Sequence, residues 1–231
     1  MCCILGYLGK DIPKETFEAY LMRTKTRGPD DQRVVEVPFG YLGFGRLAIM
    51  GLTPEGMQPF EREGSYAVCN GELYGFRVLK EELMGLGYSF SSGSDCELLL
   101  PLYEKYGLDM FRHLDAEFAC LLYDAREQEI IAARDPIGIR PLFYGYSESG
   151  AIAFASEAKN LVGWVKEIYP FPPGHYYYKG QFFPYDLIEQ VKLYRHEDFS
   201  AITKKIREKL VSAVEKRLDA DAPLGFLLSG G

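Results

Sequence analysis

Strand-like segments in this chain follow one another in groups, and this ordering constrains the fold more than any other feature. Four of them come in succession, over Glu117–Tyr123, Glu129–Ala133, Leu142–Tyr146 and Ala151–Ala155. The links between them contain Asp, Gly, Pro or Ser, the residues typical of hairpins and short loops. Parallel β-α-β units need a crossover helix between strands, so this grouping predicts an α+β fold with antiparallel sheets and helices packed outside them.

The remaining elements follow from apolar periodicity. Strands are predicted over Cys2–Leu8, Phe39–Ile49 and Ser65–Leu73, and a late hairpin over Tyr176–Tyr178 and Gln181–Phe183. Apolar residues recur at helical spacing in three further segments, so helices are predicted over 13–27, over 76–86 and from Asp95 to about Tyr106.

Composition excludes several classes of function. The net charge of −7 argues against a nucleic-acid binder, which needs a basic face. No apolar run reaches the roughly 20 residues of a membrane span, and the N-terminus lacks the basic start of a signal peptide. Five cysteines without a Cys-x-x-Cys pair predict neither a disulfide framework nor a zinc site. We therefore expect a cytoplasmic protein that binds no metal, membrane or nucleic acid.

The character of the chain changes after residue 192, which predicts a second unit over 193–231. Apolar residues from Phe199 to Leu218 form an amphipathic helical stripe, and the apolar run 223–228 is typical of a buried parallel strand. That run leads into Ser229, Gly230 and Gly231. A buried strand followed by a Gly-rich turn is how α/β domains begin a phosphate-binding loop.

Cys2 is the first candidate for chemistry. If Met1 is removed, Cys2 carries a thiol and a free α-amine, and these make a nucleophile and a base on one residue. The amine pKa is about 7.7–8.0 and that of a thiol about 8.5, so proton transfer between them is efficient. The alternative is that Cys2 fills a gap in the core, as buried cysteines often do.

A second group of candidates lies in the middle of the chain. Asn70 and Gly71 follow the apolar residues of a strand and could donate hydrogen bonds to an oxyanion; the alternative is an ordinary Asn-Gly turn. Arg46 could bind a carboxylate or make a structural ion pair. Asp95 could bind an ammonium group or cap the helix that it precedes. With Glu72, one Arg and two acids match the two charged ends of an amino acid.

These residues resemble the class II glutamine amidotransferases, which are N-terminal-nucleophile hydrolases, and within them the glutaminase domains of glutamine-dependent asparagine synthetases. The matching segments run through nearly the whole chain in the family's order. They are Cys2 with Ile4-Leu5-Gly6, Arg27-Gly28-Pro29-Asp30, Gly45-Arg46-Leu47-Ala48-Ile49, Gln58-Pro59, Asn70-Gly71-Glu72-Leu73-Tyr74, Gly93-Ser94-Asp95-Cys96-Glu97, the run from Arg134 to Leu142, and Ala155-Ser156-Glu157.

The resemblance implies a four-layer αββα sandwich over residues 1–192, and hydrolysis of glutamine to glutamate and ammonia. It makes Cys2 the nucleophile and places the oxyanion hole at Asn70 and the Gly71 N–H. Arg46 would bind the glutamine carboxylate, and Glu72 and Asp95 its ammonium group. Leu47 and Ile49 complete the substrate-binding residues that it implies.

The resemblance also implies partners beyond glutamine. Residues 193–231 resemble the linker, helix and first strand of a synthetase domain, which uses ATP and Mg²⁺ to convert aspartate to asparagine; the hydrolysis itself needs no cofactor. Because Ser229-Gly230-Gly231 are only the start of that domain's nucleotide loop, we expect these 231 residues alone to hydrolyse glutamine without adenylating aspartate. A homodimer is compatible with the resemblance.

Four positions depart from the family pattern, and two alternatives stay open. The family usually has His, His, Asp and Asn where this chain has Thr26, Phe44, Met50 and Gly75. One alternative is an amidotransferase domain that feeds another acceptor, as in the amidophosphoribosyltransferases or glucosamine-phosphate synthases. The other is a non-catalytic binding module, which retention of Met1 would favour.

Overall fold

The structure of the chain, a computed structural model, describes residues 1–191, 193–194, 196–228 and 230. The strands in these residues are β1 (Cys3–Leu8), β2 (Asp31–Val37), β3 (Gly40–Arg46), β4 (Phe60–Arg62), β5 (Ser65–Leu73), β6 (Ala116–Asp124), β7 (Glu129–Arg134), β8 (Phe143–Tyr146), β9 (Ile152–Ala155), β10 (Tyr169–Pro170), β11 (His175–Tyr178) and β12 (Gln181–Pro184). The α-helices are α1 (Lys14–Met22), α2 (Phe76–Gly85), α3 (Leu99–Tyr106) and α4 (Phe199–Lys216). Short 3-10 turns cover Pro54–Gly56, Asp95–Leu98, Gly107–His113 and Ala158–Asn160.

The strands form two sheets of six. The first has the order β10-β8-β9-β1-β3-β2 and the second β12-β11-β7-β6-β5-β4. Every described pair of neighbouring strands is antiparallel. The antiparallel α+β prediction is therefore confirmed.

Three apolar layers hold the sheets and helices together. The layer between the two sheets includes Ile4, Leu42 and Phe44 of the first sheet and Val68, Leu121 and Ile130 of the second. Outside the first sheet, Phe17 and Leu21 of α1 pack against Leu5 and Trp164. Outside the second, Leu83 of α2 and Leu99 of α3 pack with Cys69 and Cys120. The architecture is the four-layer αββα sandwich that the family resemblance implies.

Strand β6 shows why the sequence folds this way. Successive side chains of a strand point to opposite faces. Phe118, Cys120 and Leu122 pack into the helix layer, while Leu121 and Tyr123 pack into the layer between the sheets. Since β6 is buried on both faces, its sequence is continuously apolar instead of alternating.

Residues 193–231 differ in part from the sequence prediction. Helix α4 forms over Phe199–Lys216, but its apolar stripe is exposed, with Phe199 at 83% and Leu210 at 64%. The strand predicted over 223–228 is not formed: these residues have no regular structure, and Leu227 and Leu228 are fully exposed. A strand needs at least one neighbouring strand to pair with, and the described residues supply none there. The boundary at residue 192 and the start of a second domain remain predictions.

Two features of the described residues bear on function. None of their helices is long and apolar enough to cross a membrane. They contain no group of three or more His, Cys, Asp or Glu side chains placed to hold a metal ion.

Candidate active site

One pocket contains all of the predicted catalytic and substrate-binding residues. It lies where Cys2, just before β1, and the end of β3 meet strand β5 of the second sheet, and it encloses about 460 Å³ of space that is partly open to solvent. The predicted residues that line it are Cys2, Arg46, Leu47, Ile49, Asn70, Gly71, Glu72 and Asp95.

The Cys2 thiol faces the start of the loop that follows β3. Its Sγ lies 3.4 Å from the Leu47 carbonyl oxygen and 3.4 Å from the Leu47 nitrogen, whose N–H donates to the sulfur. Burial raises the pKa of the thiol, and the Leu47 N–H acts in the opposite direction. The thiol is therefore protonated at neutral pH, and it needs a base to become a nucleophile.

Motif residues outside the pocket hold Cys2 in place. Arg27 donates from Nε to the Cys2 carbonyl oxygen at 3.1 Å and pairs with Glu157 at 3.3 Å. Ile4, which lies two residues after Cys2 and belongs to β1, donates from its N–H to Ser156 Oγ at 2.9 Å. The segments around Arg27 and Ser156, which are far apart in sequence, thus act together on the N-terminal strand.

Met1 precedes Cys2 and also lines the pocket. With Met1 in place, the Cys2 nitrogen belongs to a peptide bond and the α-amine belongs to Met1. Burial, together with the charges of Arg27 and Arg140, lowers the pKa of this amine from its ordinary value of 8.0. The Met1 residue itself is 50% exposed.

Asn70 and Gly71 lie inside β5 rather than in a turn or at a strand end. They pair with Ala119 and Phe118 of β6. Asn70 is buried, and its Nδ2 has no hydrogen-bond partner within the described part of the chain. An unpaired buried donor is costly unless a ligand satisfies it. This arrangement fits a donor held ready for an oxyanion.

Arg46 ends β3 and is buried in the pocket wall. It donates from Nη1 to the Thr53 carbonyl at 3.1 Å and from Nη2 to the Gly51 carbonyl. No carboxylate of the described residues pairs with it, so the structural ion pair considered from the sequence is not formed. A buried cation without a protein counter-ion is suited to a ligand carboxylate.

Glu72 and Asp95 place two carboxyl groups in the same pocket. Asp95 begins the 3-10 turn Asp95–Leu98 instead of capping it, and its Oδ2 accepts from the Leu73 N–H at 2.7 Å. Burial raises the pKa of both acids, that of Glu72 to about 7, and the charge of Asp95 also raises the pKa of Glu72. A ligand ammonium group would relieve this repulsion.

Leu47 and Ile49 belong to the loop after β3, which contacts two neighbouring segments of the chain. The Ala48 N–H donates to Asp30 Oδ2 at 2.8 Å. Gly51 has φ +57°, and a Cβ there would lie 2.6 Å from the Ser94 nitrogen, so the loop packs directly against the segment that carries Asp95. The geometry explains why glycine stands at this position.

Arg140 also lines the pocket, although the sequence did not identify it as a site residue. Its Nη2 donates to Glu117 Oε1 at 2.7 Å and lies 4.0 Å from Glu72 Oε1. It is placed by a turn in which the Asp135 carboxylate accepts from the N–H groups of Ile137, Ile139 and Arg140. The sequence shows the run from Arg134 to Leu142, but not that this turn folds back onto β5.

Of the nucleotide-loop residues predicted from the sequence, Gly230 belongs to the described part of the chain; it is exposed and does not line this pocket. Ser229 and Gly231 lie outside the described residues. The fit of this segment to ATP therefore remains a prediction.

Comparison with known proteins gives a consistent result. Residues 1–181 match the family model described as a glutamine amidotransferase domain. The chain is 37% identical over 99% of its length to a probable glutamine-hydrolysing asparagine synthetase of Acanthamoeba polyphaga mimivirus. It is 39% identical over 90% of its length to asparagine synthetase 1 of Saccharomyces cerevisiae. It covers 46% and 37% of those two proteins, less than half of each.

A solved structure supports the fold. The glutamine phosphoribosylpyrophosphate amidotransferase of B. subtilis superposes with a TM-score of 0.70 at 22% identity, covering 80% of this chain and 49% of that one. With the family match over residues 1–181, these relatives show that the chain belongs to the glutamine amidotransferase domain family.

Proposed function

We propose that this chain hydrolyses glutamine to glutamate and ammonia, with Cys2 as the nucleophile after removal of Met1. The observation that carries the proposal is the content of one pocket. It is lined by a thiol, two carboxyl groups, an amide donor and a cation, and within the described residues the amide has no hydrogen-bond partner and the cation no counter-ion. Glutamine offers a matching carboxamide, carboxylate and ammonium group.

The reaction proceeds in two balanced steps. The Cys2 sulfur attacks the side-chain carbonyl carbon, and the thiol proton passes through the α-amine of Cys2 to the leaving nitrogen, which departs as ammonia. Water then cleaves the γ-glutamyl thioester, which restores the thiol and releases glutamate. Asn70 Nδ2 and the Gly71 N–H stabilise the negative oxygen that forms in each step. The hydrolysis uses no cofactor.

The α-amine is the base best suited to Cys2. Burial keeps the thiol protonated at neutral pH, while burial, together with the charges of Arg27 and Arg140, lowers the pKa of the nearby terminal amine. The same cations would favour a neutral Cys2 amine, which can accept the thiol proton. Removal of Met1 creates this amine, and Met1 is accessible at the protein surface.

The direct test is ammonia release by purified chain that starts at Cys2. Cys2→Ala removes the sulfur and should lower kcat by at least about a thousandfold, the order of magnitude lost with a catalytic nucleophile. The matched control is Cys3→Ala, because Cys3 is buried under α1 and does not line the pocket. Equal turnover by Cys2→Ala and the unmodified chain would contradict the proposal.

We further propose that the ammonia is used to make asparagine from aspartate, a reaction that requires ATP and Mg²⁺, in a longer cytoplasmic protein. The support is that the mimivirus and Saccharomyces cerevisiae relatives are named as glutamine-hydrolysing asparagine synthetases, the first as a probable one. Both are more than twice as long as this chain. Residues 2–231 alone, with Cys2 as the first residue, should release ammonia from glutamine but form no asparagine when aspartate, ATP and Mg²⁺ are added. ATP-dependent asparagine from this chain would contradict the assignment. A homodimer remains a prediction.

The amidophosphoribosyltransferase-like alternative has weaker support. Its solved relative is 22% identical to this chain, which is evidence for a shared fold alone.

A further inference from the structure

The segment that follows α4 returns to the rim of the candidate active site. This segment, Arg217–Ala222, is called the clasp below. Asp219 binds Arg77 of α2 at 2.9 Å, and Ala220 packs against the core beneath α2 and α3. Just before it, Lys216 pairs with Asp115, next to β6. The clasp is therefore seated on the amidotransferase domain, although it lies beyond residues 1–181 that match the family model.

One end of the clasp holds the loop after β3. The N–H groups of Asp221 and Ala222 both donate to the Ile49 carbonyl oxygen, at 3.1 and 3.0 Å. In return, the Gly51 N–H donates to Asp221 Oδ2 at 2.8 Å. The Gly51 carbonyl accepts from Arg46 Nη2. Gly51 thus joins Asp221 to the cation proposed to bind the glutamine carboxylate.

The other end reaches the acidic side of the pocket. Arg217 lies over the Tyr74 ring at 4.6 Å, and its Nη2 is 3.8 Å from Glu117 Oε2. The second oxygen of Glu117 accepts from Arg140, which is 4.0 Å from Glu72. The Arg140 and Glu117 side chains are only 9% and 16% exposed, so solvent screens this row of charges weakly.

We propose that the clasp is a positioning element for glutamine: Asp221 sets the position of Arg46 through Gly51, and Arg217 sets that of Glu72 through Glu117 and Arg140. The proposal rests on the proposed function, since it names these two groups as ligands of the substrate. It follows that whatever moves α4 also changes the affinity of the pocket for glutamine. None of the clasp residues touches the reacting atoms, so its effect is on binding rather than on chemistry.

The first test measures KM and kcat for glutamine separately. Asp221→Ala removes the acceptor of the Gly51 N–H and should raise KM about tenfold, with kcat within about twofold. Asp221→Asn keeps an oxygen acceptor and should restore most of the affinity. Arg217→Ala should raise KM a few fold, and Arg217→Lys, which retains the charge, should raise it less. A merely structural role would not produce this rescue.

The matched controls are Glu208→Ala and Arg207→Ala. Both residues are exposed on α4 and remote from the clasp contacts, so KM should not change. Melting temperature is measured for every variant, to show that the chain is folded. Unchanged KM in folded Asp221→Ala and Arg217→Ala would overturn the proposal, and so would equal increases in the controls.

The second test does not depend on activity. Hydrogen exchange of the Gly51 amide reports whether the clasp holds the loop, because this N–H is bonded to Asp221. Exchange should be at least about tenfold faster in Asp221→Ala than in the unmodified chain, and nearly unchanged in Asp221→Asn. Equal exchange rates in Asp221→Ala and the unmodified chain would overturn the proposal that the clasp holds the loop. Absence of glutamine hydrolysis by the unmodified chain would instead contradict the proposed function, and the exchange rates would still decide whether the loop is held.

Discussion

Glu72 is the residue whose charge is most finely balanced in the pocket. Burial and the charge of Asp95 raise its pKa, while Arg140 lowers it, and the outcome is a value of about 7. Glu117, across the strand pair, also raises it. A carboxyl group with this pKa changes its charge within the physiological range, so the affinity for an ammonium group should change with pH.

The predicted effect is weaker glutamine binding at acidic pH. As pH falls from 8 to 6 through the pKa of about 7, Glu72 becomes protonated and loses the charge that attracts the ligand ammonium. Binding to Cys2→Ala, measured by calorimetry, should weaken by about fivefold to tenfold over this range. The double variant Cys2→Ala/Glu72→Gln should bind more weakly at pH 8 and lose most of the pH dependence. The same dependence in both proteins would contradict the assigned role of Glu72.

Residue types, motifs and the family resemblance selected eight residues that line one pocket, and their catalytic and substrate-binding roles stay predictions. The same signals were insufficient for the residues that position them. Arg140 reaches the pocket because the Asp135 carboxylate accepts hydrogen bonds from the N–H groups of a turn. Arg27 holds Cys2 by donating a hydrogen bond to its backbone carbonyl. Such contacts depend on how distant segments fold together, and spacing along the chain does not reveal them.

At the scale of elements, the β5–β6 pair positions the proposed oxyanion donors, Asn70 and Gly71 of β5. These strands approach closely at Gly71, where a Cβ would lie 2.5 Å from the Glu117 carbonyl oxygen and 2.8 Å from Phe118 Cα. Both of these neighbours are backbone atoms of β6, so they cannot move aside as a side chain would. Gly71 therefore sets the separation of the two strands beside Asn70.

Gly71→Ala should destabilise the chain by about 1–3 kcal/mol, the usual cost of overpacking, and should lower glutaminase activity as β5 shifts. Gly85→Ala is the matched control, because its Cβ would meet nothing within 4 Å at the end of α2. That variant should be neutral or up to about 1 kcal/mol more stable, since Ala favours helix. Urea unfolding checks both. Equal stability of the two variants would mean that the close approach is not needed.

Elements with strong apolar patterns were predicted well, whereas segments whose conformation depends on pairing with a neighbouring strand were not. Strand β2 lies at a sheet edge and is rich in charged residues, so its sequence resembles a loop. Strand β5, by contrast, covers the predicted range Ser65–Leu73, although Asn70 and Gly71 within it form a dipeptide typical of turns; both pair with β6. Residues 223–228 have the composition of a buried strand, yet no described sheet pairs with them.

At the scale of the molecule, the active site depends on packing between the sheets. Cys2 directly precedes β1 and Arg46 ends β3, both strands of the first sheet, whereas Asn70 and Glu72 lie in β5 of the second. The apolar layer between the sheets thus sets the distance from Cys2 to Asn70, the proposed nucleophile and oxyanion donor. Grouped strands were enough to predict antiparallel sheets, but their pairing into this sandwich came from the family resemblance.

In the proposed mechanism the thiol and the α-amine of Cys2 act together, which can be tested by blocking the amine. Chain that starts at Cys2 and chain that retains Met1, each verified by intact mass, are assayed for ammonia release from glutamine. We expect turnover from the chain that starts at Cys2 and a loss of at least about a hundredfold when Met1 blocks the base, the lower range of general-base contributions. Equal turnover by the two forms would contradict it.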